Sequence, residues 1–126
     1  MVYNSKLTSE FLDSLFEAIL LLRNQEECYR FFEDICTIKE LQSISQRLQV
    51  AKLLRENKTY HEIEEITGAS TATISRVNRC LHYGADGYNI ILDRLEEIKK
   101  NELEFKKIEL SLQKALKEKE ILEKEY

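Results

Sequence analysis
The chain has 126 residues, a third of them charged with a net charge of −4, and no proline. That length fits one domain with a modest core. The acidic balance argues against a strongly non-specific polyanion binder, because counterion release needs many cations facing phosphate. Cys28, Cys36 and Cys80 show no C-x-x-C spacing and form no ligand pair with His61 or His82, so neither a disulfide framework nor a zinc site is expected. Reduced thiols in the cytoplasm are the expected state. No signal sequence is expected, since the first residues do not have the pattern of one, and the longest apolar run, residues 18–22, is far too short to span a bilayer.

In chain order, a first helix is expected after Thr8 or Ser9, running to about Arg23. Phe11, Leu12, Leu15, Phe16, Ile19, Leu20 and Leu22 cover more than one stripe of it. A helix apolar over so much of its circumference must be covered from several sides, and in a chain this small a second subunit is the obvious cover. A second helix is expected from about Glu26 to Ile35, with Tyr29, Phe31, Phe32 and Ile35 as its apolar residues. Thr37 followed by Glu40 forms a capping box that opens a third helix. Its inward face is expected to carry Leu41, Ile44, Leu48, Ala51 and Leu53 or Leu54, and Asn57 ends it in a left-handed cap.

The stretch 59–82 then reads as helix-turn-helix. Thr59 and Glu62 make another capping box, and Ile63 and Ile66 give the short helix that follows an apolar side. Gly68 suits a left-handed turn. Ser70 caps a second helix, whose Ile74, Val77 and Leu81 recur at steps of three and four. At about 100° per residue those three share one face, and Ala72, Ser75, Arg76 and Arg79 lie opposite. A short helix with one buried stripe and two arginines on its free side suits the major groove of DNA. Thr71 and Ala72 are placed for base edges, Arg76 and Arg79 for guanine or phosphate, and Lys58, Thr59 and Tyr60 for backbone phosphates. Ser70 and Ser75 complete the candidate DNA-binding set.

Gly84-Ala85-Asp86-Gly87 is a turn cluster, and a further helix starts near Tyr88 with Ile90, Ile91, Leu92 and Leu95 continuing the core pattern. From Glu96 the composition changes to Lys, Glu and Leu. Ile98, Asn101, Phe105, Ile108, Leu112, Ala115, Lys119 and Leu122 fall on alternating steps of three and four, a heptad seam with Asn101 and Lys119 as polar interruptions. The alternative for this segment is a solvated single helix held by i,i+4 Glu–Lys pairs. Its positive and negative charges nearly cancel and show no segregation, which points to protein rather than DNA as its partner. Two regions follow: residues 1–95, a helical DNA-binding domain, and residues 96–126, a charged helical extension suited to a coiled coil.

Nothing in the chain has the pattern of an enzyme site. The three glycines lie in the two turns, so no phosphate loop exists, and neither histidine has a nucleophile and acid partner by spacing. Cys80 reads as a small packing residue. No metal or cofactor is expected. The reading is a homodimeric, sequence-specific DNA-binding transcriptional regulator, most simply a repressor. A helical protein-interaction adaptor that binds through the seam after Glu96 is the alternative class, since helix-turn-helix folds serve such roles too.

The run Gly68-Ala69-Ser70-Thr71-Ala72-Thr73-Ile74-Ser75-Arg76-Val77 resembles the turn and recognition helix of bacterial helix-turn-helix repressors. From Thr37 to the helix after Gly84 the chain resembles the Trp repressor superfamily, and within it the YerC/YecD-type branch. The resemblance covers about the first hundred residues and implies an all-α, intertwined homodimer that binds double-stranded operator DNA. It also implies a ligand site at Thr37, Arg47 and Arg76, which match ligand-contacting positions of the Trp repressor. Where that family has a glycine after the arginine, this chain has Val77, and Cys80 replaces a serine. Val77 belongs to the buried stripe, so tryptophan is not the expected effector, although a tryptophan-responsive repressor remains the alternative that the resemblance carries.

Overall fold
The computed structural model describes residues 3–125 and is all-helical over them. Six helices follow in order: α1 Glu10–Ile19, α2 Gln25–Ile35, α3 Ile38–Arg55, α4 Tyr60–Thr67, α5 Thr71–Tyr83 and α6 Gly87–Glu125. Residues 1, 2 and 126 of the two expected regions lie outside the described residues. The chain divides into two compact units, residues 1–45 and 46–126, and the division falls inside α3.

In the first unit, each helix start is fixed by a side chain. Ser9 accepts the Leu12 N–H, and Asn24 accepts the Glu27 N–H while Glu27 in turn accepts the Arg23 N–H at 2.9 Å. Thr37 and Glu40 form the expected capping box, at 3.1 and 3.0 Å. The Thr37 N–H bound to Glu40 holds that carboxyl below its usual range. That contribution to the start of α3 is present at neutral pH and is lost as pH falls through the lowered value. The first helix is shorter than the sequence suggests. It stops at Ile19, where the N–H groups of Leu21 and Leu22 turn back to the carbonyls of Ala18 and Ile19 and tighten the chain. No residue of α1 or α2 is buried, and Phe11 is 91% exposed.

The core lies wholly in the second unit. Val50, Ala51 and Leu53 from α3, Ile63 from α4, Ala69 from the turn, Ile74 and Val77 from α5 and Leu92 from α6 form one cluster, flanked by Leu48, Leu54, Leu81 and Tyr88. Three expectations are corrected here. On α6, Ile90, Ile91 and Leu95 are exposed, and of the expected core residues of that helix only Leu92 is buried. Ile44 is exposed while Val50, not expected inward, is fully buried; Ile66 is 63% exposed, so α4 contributes Ile63 alone. The reason in α3 is that apolar residues surround the helix, so spacing does not single out one stripe.

Backbone geometry explains the turns. Asn57 has φ +63°, and Lys58 and Asn57 donate to the carbonyls of Leu53 and Leu54. These two bonds are the Schellman pattern, and they end α3 sharply. Between α5 and α6, Asp86 has φ +69°, and the Asn89 amide donates to the Leu81 carbonyl at 3.0 Å and to the Asp86 carboxylate at 3.1 Å. Arg55 spans from α3 to α6, donating to the Asn89 carbonyl, Asp93 and Glu96. The hydrogen bond to Asp93, together with the charges of Glu96 and Asp93, raises the Arg55 pKa further, so the guanidinium stays charged.

Gly84 is the tightest point. A Cβ there would stand 2.5 Å from the Cys80 carbonyl oxygen, a backbone atom that cannot swing aside. Gly84→Ala is therefore expected to destabilise the chain by about 1–3 kcal/mol, the usual cost of overpacking. Gly87→Ala, whose Cβ would meet nothing within 4 Å, is expected to be harmless. Urea unfolding of the two variants side by side checks this.

Candidate nucleic-acid interface
The second unit places α4 and α5 as a helix-turn-helix. At the start of α4, the Thr59 hydroxyl accepts the Glu62 N–H and the Glu62 carboxylate accepts the Thr59 N–H, closing a capping box at 3.2 and 3.0 Å. Gly68 carries φ +71° and returns its N–H to the Glu64 carbonyl. Any residue with a Cβ would pay about 1–2 kcal/mol in that conformation. Ser70 caps α5 through the Thr73 N–H at 3.2 Å. Ala69 between them is buried, which anchors the turn to the core.

Three bonds fix α4 and the turn further. Gln46 on α3 donates to the Thr67 carbonyl at 3.1 Å, the Thr67 hydroxyl donates to the Ile63 carbonyl at 2.7 Å, and the Ala69 N–H donates to that hydroxyl at 3.1 Å. The Thr71 hydroxyl donates to the Glu64 carboxylate across the turn. Neither Gln46 nor Glu64 stands out in the sequence. Each acts through a contact far from its neighbours in the chain, and no local pattern marks it.

The burial of α5 is one-sided. Ile74 and Val77 are buried at 0% and 1% exposure, and Leu81 is half-buried. Thr71, Ala72, Ser75, Arg76 and Arg79 are all exposed, as are Lys58, Thr59, Tyr60 and Ser70. The nine candidate residues thus form the solvent side of the motif and its two helix starts. Three of their hydroxyls are engaged: Thr59 and Ser70 as caps, and Thr71 with Glu64. Among the described residues, Lys58, Arg76 and Arg79 take part in no ion pair. The first turn of α5 carries no acidic side chain of its own, and the carboxylate beside it is that of Glu64, bound to the Thr71 hydroxyl.

Thr37, Arg47 and Arg76 are placed differently. Thr37 belongs to the first unit and is occupied as the cap of α3. Arg47 is half-buried in the second unit close to Tyr88, whose phenol burial pushes up while the Arg47 charge draws it down. Arg76 is on the exposed side of α5, and Val77 beside it is closed into the core. Cys80 is exposed rather than packed as its sequence context suggests. His61 pairs with Glu65 one turn along α4, at 3.1 Å. Among the described residues there is no group of three His, Cys, Asp or Glu that could hold a metal ion, and no helix is long and apolar enough to cross a membrane.

Comparison with known proteins agrees with this geometry. The chain is 63% identical over 92 residues to the uncharacterized protein YerC of Bacillus subtilis (strain 168), covering 73% of this chain and 88% of that one. A crystal structure of a candidate Trp repressor from Staphylococcus aureus superposes with a TM-score of 0.70 at 59% identity, covering 72% of this chain and 91% of the other. A TrpR-like protein from Eubacterium eligens ATCC 27750 gives a TM-score of 0.71 at 58% identity, covering 74% and 96%. The Trp repressor protein family model matches residues 10–96, from the first residue of α1 to Glu96, the last partner of Arg55 on α6. The chain belongs to the Trp repressor family.

Proposed function
We propose that the protein is a homodimeric, sequence-specific DNA-binding transcriptional regulator, a repressor by family, with α5 as its recognition helix. The observation that carries this is the division of α5 into a buried stripe, Ile74 and Val77, and a free face of small, polar and basic residues. Arg76 and Arg79 on that face are long enough to reach base edges or phosphates. The unpaired Lys58 and the N-terminal ends of α4 and α5 suit phosphate oxygens, which position the protein but carry no sequence information. In this reading Glu64 holds the Thr71 side chain in place before DNA arrives, so less freedom is lost on binding. Residues 1–95 are the DNA-binding domain and residues 96–126 the extension.

The bare apolar surface of the first unit supports an intertwined dimer. Phe11, Phe16, Leu20, Leu21 and Tyr29 are each more than half exposed, a density of large apolar side chains that calls for a partner surface. A second copy of the chain is the cover we infer, with the two recognition helices roughly 34 Å apart on a palindromic operator. Sedimentation at micromolar concentration should show a dimer and no folded monomer.

Tryptophan is not the effector in this reading. Val77 is packed against Ile74 and the rest of the core, where the family's glycine would leave space beside the recognition helix. Admitting an indole would require displacing that side chain, at a typical cost of about 1–3 kcal/mol. That lowers affinity by about ten- to a hundredfold. Calorimetry with free L-tryptophan is expected to show no heat of binding at low micromolar concentration, and operator affinity should not change when the amino acid is added.

Selection from a random DNA pool identifies the operator, and two variants then test the interface. Arg79→Ala is expected to weaken operator binding by about 1–3 kcal/mol and to relax preference at one position. Lys58→Ala should weaken all sequences alike and flatten the salt dependence. Unchanged binding by both, with helicity and melting preserved, would exclude α5 as the reading head and leave the adaptor reading in possession.

A further inference from the structure
The segment of α6 beyond the family match has its own surface chemistry, and it is independent of DNA reading. From Asp93 to Lys124 every described side chain of the helix is exposed. Ile98, Phe105, Ile108, Leu112 and Leu122 are 55–69% exposed although they share one seam. Ile98, Asn101, Glu102, Phe105, Lys106 and Glu109 line a shallow groove along it.

Along the sequence, the eight lysines and nine glutamates from Glu96 to Glu125 look evenly mixed. Around the helix they are not, which corrects the expectation of unsegregated charge. With Ile98, Phe105 and Leu112 at the first seam position of each heptad and Ile108, Ala115 and Leu122 at the fourth, the positions bordering the seam follow directly. Between residues 97 and 123, six of the eight bordering positions are glutamate: 97, 102, 104, 109, 118 and 123. The exceptions are Ser111 and Leu116. Seven of the eight lysines lie on the remaining positions, away from the seam, and only Lys119 falls in it.

This pattern decides between occupants. A second copy in parallel would set position 97 against position 102, 104 against 109 and 118 against 123, glutamate on glutamate each time. An antiparallel copy sets each border against itself, with the same result. Like charges across a seam disfavour that pairing, whereas opposite charges select it. We infer that the seam of α6 beyond Glu96 docks an amphipathic helix of another protein, one whose own apolar stripe is bordered by lysine or arginine. The aliphatic and aromatic seam supplies the contact, and the two glutamate borders select the partner and set its register. Asn101 and Lys119 limit the register further, because a buried polar position is satisfied only opposite a polar one.

The test uses the full chain and three synthetic 28-residue helical peptides. All have the same composition of seam residues; one carries lysine at both bordering positions, one carries glutamate there, and one has the lysine peptide's residues in scrambled order. Binding is followed by fluorescence anisotropy of the labelled peptide at low and at physiological salt. The lysine-bordered peptide is expected to bind at least tenfold more tightly than either other peptide, with the margin over the glutamate peptide shrinking as salt rises. The triple variant E102K/E104K/E109K, all at exposed positions, should reverse the order and prefer the glutamate-bordered peptide. Equal binding of the scrambled peptide would mean simple attraction between an acidic chain and a cation, and would overturn the proposal. So would failure of all three to bind, or a triple variant whose only change is in the stoichiometry of the protein itself, the mark of a seam filled by a second copy.

Discussion

The structure depends on one small burial. Eight side chains, all between Val50 and Leu92, account for the whole buried core of the described residues. They come from four helices and the turn, so no helix of the second unit is held by itself. Ile74 and Val77 are the contribution of the recognition helix, and their burial is what forces Arg76 and Arg79 outward. The orientation of the exposed face is thus a by-product of packing the opposite one. A core of this size leaves little surplus over conformational entropy, which is why so many polar devices supplement it: Gln46 on Thr67, Asn89 on Leu81 and Arg55 on α6.

The first unit is the converse. Its three helix starts are capped as well as those of the second unit, yet none of its described residues is buried. Caps fix where a helix begins but supply only about 1 kcal/mol each. The apolar side chains that add to them, among them Leu12, Leu15, Ile19, Phe31 and Phe32, are half-buried rather than buried. Secondary structure in this part of the chain is written locally.

That contrast also marks how much was legible in the sequence. The helix-turn-helix, both capping boxes, the left-handed Gly68 and the Asn57 terminator could all be read, because each depends on residues within three or four positions of one another. The exposure of Ala72, Ser75, Arg76 and Arg79 opposite Ile74 and Val77 was legible for the same reason, since α5 has a clean three-and-four pattern. In α3 the pattern fails: Leu41, Ile44, Leu48, Val50, Ala51, Leu53 and Leu54 surround the helix, and only the approach of α4 and α5 selects Val50 over Ile44. Ile66 follows Ile63 at a helical step and still faces solvent, because nothing of the core reaches the second half of α4. The Glu64–Thr71 and Arg55–Asp93 contacts were illegible in principle, as they join residues that only the fold brings together. Charge in the extension was readable only after a seam had been chosen to count from.

The continuity of α6 gives the molecule a mechanical property. The helix is pinned at its root by the buried Leu92 and by Arg55, and it runs unbroken to Glu125, with no glycine or proline after Gly87 to act as a joint. At 1.5 Å per residue the stretch beyond Leu92 is about 50 Å long. A tilt of about 5° at the root therefore displaces the far end by about 4 Å, and a lateral push at the far end acts on the root with the same leverage. Arg55 and Asn89 stand at that fulcrum, touching at once the helix that carries the core, the end of the recognition helix and the base of the lever arm.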